Sequence, residues 1–333
     1  MALVALLAFA TGTSTFAQTP ADFYKGKNVE LYIGYSVGGG YDLYARVLAR
    51  HIAKHIPGNP TVVPKNMEGA GSLRLANWLA KAAPRDGSVF GTFGRGVPFY
   101  PLLGLPGAQF KATDFSWIGS ASNEVSMCVS WGTSKITKIE DVQTTQMIVG
   151  GTGPSDDTVQ FPRVLNGVLG TKFKVISSYP GGNDIVLAME RGEVEGASSS
   201  WAAVSVGKKE WLRDKKIRII LQTAPERTKD LPDAPALPEI GTSMEDKQVY
   251  QLYASGSAIG RTVIAPPDMP PERVRILRDA FNAMVKDPDF IADIQKLNVE
   301  LEPLPGERVQ ELIVRTLNVP QAVRERAKLA FGR

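Results

Sequence analysis

The sequence predicts an α/β fold of two lobes with a ligand cleft between them. Short apolar strands alternate with amphipathic helices from Val29 onward, and the same cycle begins again near Ser116. Glycine-rich turns recur where strands pass into helices. In open α/β sheets such turns gather at the carboxyl ends of the strands, where ligands bind.

The first cycle opens with a strand over residues 29–35, whose Val29, Leu31 and Ile33 are apolar at alternate positions. A helix follows over 41–56. Tyr44, Val47, Leu48, Ile52 and Ile56 share one broad face, and Arg46, Arg50 and Lys54 form the solvated stripe. A strand at 61–65, a helix at 73–83 and a strand at 89–93 complete a βαβαβ unit, which implies a mostly parallel sheet. A Pro/Gly-rich stretch at 98–107 interrupts the pattern.

In the second cycle residues 118–131 are strand-like, and 147–150, 174–178 and 217–222 read as strands. Helices fall at 159–169 and 184–191, and 223–239, rich in proline and charge, reads as a connection. The tail is helical over 271–286, 288–297 and 307–329, the last broken at Pro320. The expected division is residues 18–124 with 225–333 for the first lobe and 125–224 for the second.

With 333 residues and 43% hydrophobic content, the chain can bury proper cores. Its net charge of +4 is dispersed, with no run that would serve as a nucleic-acid arm. The single cysteine, Cys128, can form neither an internal disulfide nor a thiolate metal cluster and is expected in the core. Residues 1–17 read as a secretory signal: an apolar run at 3–10 is followed by small residues and a cleavage pattern ending at Ala17. That run is too short to span a membrane. No Lys or Arg precedes it, a departure from the usual signal. The expected product is a soluble periplasmic protein.

Gly34-Tyr35-Ser36-Val37-Gly38 matches the G-x-S-x-G nucleophile elbow and sits between a strand and a helix, as that motif requires. A serine hydrolase also needs a histidine base arriving later in the chain. Only His51 and His55 exist, both on the helix directly after Ser36. Ser36 therefore reads as a hydroxyl donor to a ligand, with a periplasmic serine hydrolase as the alternative. The two histidines are spaced i, i+4, but the segment lacks the glutamate of H-E-x-x-H; they are expected as partly buried packing, not metal ligands. Gly38, Gly39 and Gly40 satisfy neither a dinucleotide fingerprint, since position 43 is leucine, nor a phosphate loop.

What these glycines do supply is backbone N–H groups at a helix N-terminus, next to Tyr41 and Asp42. Companion turns carry Gly69-Ala70-Gly71-Ser72, with Ser72 as expected N-cap, then Gly153 and Ser155, then Tyr179, Gly181 and Gly182. Each offers neutral N–H and hydroxyl donors. None offers the acid–base set of an enzyme, so the pattern points to binding without turnover, with no catalytic residue, cofactor or metal.

At these turns the chain resembles the substrate-binding receptors of tripartite tricarboxylate transporters, the Bug (TctC-like) family. The resemblance runs through GYSVGGGYDLYAR, NMEGAGSLRLANWLAKAAPRDGSVFGT and SYPGGNDIVLAMERGEVEG, then ERTKDLPDAPALPEIG and APPDMPPERVRILRDAFNAMVKDPDF. It implies a type II periplasmic-binding-protein fold that closes over a ligand carboxylate. The turns matching 35–42 and 69–72 and the second-lobe turns would hold that carboxylate, partly through water. The implied ligand-binding set is Tyr35, Ser36, Gly38, Gly39, Gly40, Tyr41, Asp42, Gly69, Ala70, Gly71, Ser72, Gly153, Ser155, Tyr179 and Gly181.

Several positions depart from the family pattern. Asp156 and Asp157 follow Ser155; they are placed to cap the helix at Val159 and also put negative charge where an anion would sit. Pro180 stands inside the Tyr-x-Gly turn. Arg95 occupies a loop where smaller residues are common, either to pair with a distal ligand carboxylate or as a solvated surface residue. Ser199, Ser200 and Trp201 are expected after the last strand of the second lobe, lining the cleft, with core packing the other reading of Trp201. The resemblance implies a monomeric exported receptor that captures a small organic carboxylate, a dicarboxylate for preference, and delivers it to membrane permease subunits. A carboxylate sensor for a kinase is the other receptor reading.

Overall fold

The computed structural model describes residues 19–332 except 105, 202, 203, 206, 207 and 298. The expected leader at 1–17 lies outside the described residues. Eleven strands among them form two sheets. The first sheet takes β1 (Asn28–Ile33), β2 (Thr61–Asn66), β3 (Val89–Thr92), β4 (Ser116–Ser120), β10 (Thr262–Ala265) and β11 (Leu304–Pro305), in the order β11-β4-β10-β3-β1-β2. The second takes β5 (Ser126–Trp131), β6 (Met147–Gly150), β7 (Phe173–Ile176), β8 (Gly196–Ser200) and β9 (Ile217–Gln222), in the order β7-β6-β8-β5-β9.

The first sheet departs from the mostly parallel expectation. β1 runs parallel to β2 and β3, as a βαβαβ unit must, but β10 enters antiparallel between β3 and β4. The cause is the route of the chain, which leaves after β4 to build the second sheet and comes back only at β10. The strand expected over 118–131 is for the same reason two strands, β4 and β5, joined by a crossing from one sheet to the other. The return segment lies against this crossing: Ala121 N donates to Arg261 O (3.0 Å), Arg261 N to Ser122 O (3.2 Å) and Glu124 N to Ser257 O (3.0 Å). Gly260 has φ +57°, and a Cβ there would overlap the Ser122 carbonyl, so this approach requires glycine.

The helices that position the site are α1 (Gly40–Ile52), α2 (Leu73–Lys81), α3 (Asp157–Leu169) and α4 (Gly182–Glu190). Later come α5 (Met244–Ala254), α6 (Pro271–Met284), α7 (Pro288–Lys296), α8 (Gly306–Leu317) and α9 (Gln321–Phe331). The break at Pro320 separates α8 from α9, where proline is tolerated because no intrahelical N–H is needed. The predicted stripe of α1 is buried with Val29, Leu31 and Ile33 of β1 against Phe281, Met284 and Phe290. A second cluster runs through both lobes, from Leu75, Phe93 and Phe99 to Cys128, Val149, Phe161 and Phe331. The irregular stretch expected at 98–107 supplies part of it as a 3₁₀ helix over Val97–Leu103. Cys128 is buried as expected, and burial pushes its thiol up to about 12.

Candidate functional site

The first wall is organised by Asp42. β1 ends at Ile33, and Gly39 is the N-cap of α1. The Asp42 carboxylate accepts from Gly38 N (3.0 Å), Arg46 Nε (2.9 Å) and Asn66 Nδ2 (2.9 Å), and Asn66 also donates to Tyr35 O (2.8 Å). Burial opposes the charge on Asp42, but these donors outweigh it and hold the carboxyl below its ordinary range. One of the N–H groups expected to face a ligand, that of Gly38, is thus bound within the turn. Asn66 went unnoticed in the sequence; its place at the end of a strand carries no motif.

Ser72 ties three turns together. It is left-handed (φ 74°) and makes no cap hydrogen bond to α2, contrary to expectation. Its hydroxyl instead donates to Gly34 O (3.1 Å) and accepts from Gly94 N (3.2 Å). Above it the rings of Tyr35 and Tyr41 stack with centroids 4.8 Å apart, and the Tyr41 hydroxyl accepts from Arg95 N (3.0 Å).

The second wall meets the first edge to edge. The Ser155 hydroxyl shares its one proton between Ala70 O (2.7 Å) and Gly71 O (2.8 Å). A Cβ at Gly153 would overlap the backbone of Ala70 and Gly71, so glycine lets the two turns touch. Ser36 N donates to Pro180 O (3.3 Å), and the Ser36 hydroxyl donates to Asp184 Oδ2 (2.8 Å). A Cβ built on Gly39 would come within 3.9 Å of Gly182 N, so the N-termini of α1 and α4 face each other across the seam. The turns predicted to share one crevice are therefore brought together. Tyr179 is half-buried and packs against the apolar cluster of the second lobe. Ser199 and Ser200 lie inside β8, not after it, paired with Met127 and Ser126 of β5. Trp201 is half-buried, and its indole N–H donates to Asp230 (3.2 Å).

Carboxylates of the second wall occupy donors of the first. Asp156 is the N-cap of α3, as read from the sequence. Its Oδ1 accepts from Thr158 N (3.0 Å) and Thr158 Oγ1 (2.6 Å), and its Oδ2 accepts from the Tyr35 hydroxyl. Arg95 is 7% exposed, which overturns the solvated reading. Its guanidinium donates to Asp157 Oδ2 from Nε (2.8 Å) and Nη2 (2.5 Å), to Glu124 O (2.7 Å) and to Ser126 Oγ. Glu124 also pairs with Arg261 (2.5 Å), whose guanidinium lies 4.7 Å from the ring centroids of both Tyr41 and Tyr44.

The two adjacent aspartates shift in opposite directions. Burial, then the charge of Asp157, pushes the Asp156 carboxyl up to about 7. Burial also works against Asp157, but the Arg95 guanidinium outweighs it and holds this carboxyl below its ordinary range. Burial and the nearby Asp156 carboxylate raise the Tyr35 phenol well above its usual value. Glu124, Arg261 and Asp184 were not singled out in the sequence. Asp184, an acid in the first turn of a helix after Gly181-Gly182, could have been.

His51 Nε2 lies 2.9 Å from Asp293 and His55 Nε2 2.9 Å from Asp287, both half-buried at the far end of α1 from Ser36. Among the described residues no group of three or more His, Cys, Asp or Glu could hold a metal ion. A hollow of about 650 Å³ lined by Lys81, Arg85, Phe110 and Asp268 shares no residue with the seam. No helix among the described residues is long and apolar enough to cross a membrane.

No family model matches the chain. A protein of Cupriavidus necator described as "UPF0065 protein in gbd 5′region" is 23% identical over 323 residues, covering 94% of this chain and 91% of that one. The structure of the periplasmic binding protein BugD superimposes with TM-score 0.71 at 20% identity, over 92% of this chain and 97% of BugD. The chain has the fold of the Bug-type periplasmic binding proteins. Rpa4515 of R. palustris, solved with adipate, shares that fold with TM-score 0.69 at 18% identity, over 90% and 97% of the two chains. The resemblance read from the turns holds, and the Bug and TctC neighbours are named as binding proteins, not enzymes.

Proposed function

We propose that this chain is an exported solute receptor that captures a small organic carboxylate, a dicarboxylate for preference, and delivers it to the permease subunits of a tripartite tricarboxylate transporter. In this reading the leader at 1–17 directs it to the periplasm, where it works as a monomer. The lobes divide at 124/125 and 224/225 and part at the seam to admit the ligand.

The carrying observation is the meeting of two helix N-termini, at Gly39–Gly40 and Gly181–Gly182, around the Ser36 hydroxyl. Such N-termini favour an anion by about 0.3–1 kcal/mol each, more when partly buried. With the seam closed, the Asp184 carboxylate accepts the Ser36 hydroxyl. A ligand carboxylate takes that place when the lobes open and close around it. Adipate in Rpa4515, a protein of the same fold, supports the ligand class.

The hydrolase alternative lacks a base. Ser36 donates to a carboxylate, and both histidines are engaged with aspartates at the other end of α1. The test is a thermal-shift screen of the purified chain with straight-chain mono- and dicarboxylates from acetate to adipate. A saturating carboxylate at a hundred times its Kd adds about 2.7 kcal/mol of stability. A panel that shifts nothing contradicts the receptor; ester turnover that is lost in Ser36→Ala would establish the hydrolase.

A further inference from the structure

Three acids of the seam have cationic partners; Asp184 and Asp156, among the described residues, do not. Asp42 has Arg46, Asp157 has Arg95, and Glu124 has Arg261. Asp184 lies at the half-exposed rim. Asp156 is 4% exposed and makes its hydrogen bonds to neutral groups: the Tyr35 hydroxyl, Thr158 N and Thr158 Oγ1. The groups around it come from five directions. Tyr35, with Tyr41 stacked on it, faces it from the first turn; Asp157 is next on α3; Arg95 approaches after β3. Glu124 stands behind Arg95 at the crossing, and Arg261 behind Glu124. Gly71 and Gly94, which crowd Asp156 from the remaining turns, carry no charge.

The groups here that suit an anion are the N-terminus of a 13-residue helix and a threonine hydroxyl from the second wall and a phenol from the first, and they already hold the chain's own carboxyl. A carboxylate taken at Ser36 enters the seam beside Tyr35, whose hydroxyl is bound to this acid. Carboxylates that share a site cannot all remain ionised. Of the two aspartates, Asp157 keeps its charge because Arg95 is bound to it, which leaves Asp156 to take the proton.

We propose that Asp156 is a specificity-determining residue of this cleft: a ligand carboxylate is captured together with one proton from solvent, and Asp156 is the group that receives it. Above neutrality each binding event then takes up one proton with the ligand, and that proton offsets one of the ligand's carboxylate charges. The receptor favours carboxylates under acidic conditions and releases them as the surroundings become alkaline. The shift of the Asp156 carboxyl toward neutrality, from burial first and Asp157 second, places this response near neutral pH. The inference rests on the carboxylate-receptor reading.

The experiment is a calorimetric titration of the full chain with the acetate-to-adipate panel at roughly pH 5.5, 7 and 8.5, each in two buffers of unlike ionisation heat. Wild-type affinity is expected to fall about tenfold per pH unit above neutrality, with proton uptake per ligand near zero at about pH 5.5 and approaching one at about pH 8.5. Asp156→Asn is expected to bind with an affinity that is flat across this range. Asparagine caps helices as well as aspartate does, so α3 keeps its start. Asp156→Ser, with another capping residue, replaces it if that variant does not fold. A wild-type affinity that does not change with pH, or a slope that survives in Asp156→Asn, overturns the inference and leaves the receptor reading standing. A folded chain that binds no member of the panel at any pH overturns both.

Discussion

Replacing Arg95 with methionine should destabilise the unliganded protein. The side chain is buried and makes two hydrogen bonds to Asp157, one to Glu124 O and one to Ser126 Oγ. Methionine keeps much of the volume and none of the charge. It leaves the Asp157 carboxylate buried beside Asp156, with Ser126 as its remaining side-chain donor. Breaking a buried ion pair from one side costs about 3–5 kcal/mol. Unfolding entropy of about 2.1 cal/mol/K per residue gives about 0.7 kcal/mol/K for a chain of this length. The expected fall in Tm is therefore about 4–7 °C. Scanning calorimetry of Arg95→Met, Asp157→Asn and the double variant forms a cycle, and the double variant should recover at least about 2 kcal/mol of the loss. A loss under about 1 kcal/mol in Arg95→Met, or a coupling near zero, refutes the internal pair. Arg95 as a pure ligand contact predicts the opposite pattern, with unliganded stability unchanged and affinity lost.

The Asp156 carboxyl, raised from 3.8 to about 7, adds stability that is fully present below about pH 4 and is lost as pH rises through 7. Urea unfolding of wild type and Asp156→Asn at several pH values should diverge across that window by up to about 4 kcal/mol, since each tenfold change in proton affinity is worth about 1.4 kcal/mol; parallel profiles would contradict it. Gly153→Ala places a methyl against the backbone of Ala70 and Gly71, so its radius of gyration in small-angle scattering should exceed that of wild type, and an identical curve would refute the contact. Asp287 is held down to about 2, chiefly by hydrogen bonding from Lys54 and also by Asp289 N and His55. Its contribution is present above about pH 4 and lost as pH falls toward 2. Asp287→Asn should therefore speed amide exchange at the end of α1 at neutral pH, and unchanged exchange would count against the clamp.

Much of the architecture could be read from local pattern. Val29, Leu31 and Ile33 alternate because one strand face is buried, and the stripe on α1 is apolar because it lies on that sheet. β8 was missed as an element because GASSS lacks branched residues; it is a strand through its pairing with β5, not through propensity. Likewise α5, MEDKQVYQLYA, is polar at most exposed positions and is fixed by burial of Val249, Tyr250, Leu252 and Tyr253. At the site, the glycine turns announced themselves, since each is a local backbone requirement. Their pairing did not: Tyr35 and Asp156 are 121 residues apart, Ser36 and Asp184 148, and Arg95 and Asp157 62. The two acids after Ser155 were visible as charge out of place, but only the fold shows that Arg95 neutralises one while the other takes its hydrogen bonds from neutral groups.

The central claim is that the seam around Ser36 takes a small carboxylate. Equilibrium dialysis of labelled carboxylates from the acetate-to-adipate panel against the purified chain at mildly acidic pH tests it most directly. One ligand should be retained per chain, displaced by unlabelled competitor, and bound about 10–100-fold more weakly by Ser36→Ala, as expected for loss of a hydrogen bond to a charged group. Retention of no carboxylate by a folded chain, or equal retention by wild type and Ser36→Ala, would contradict it.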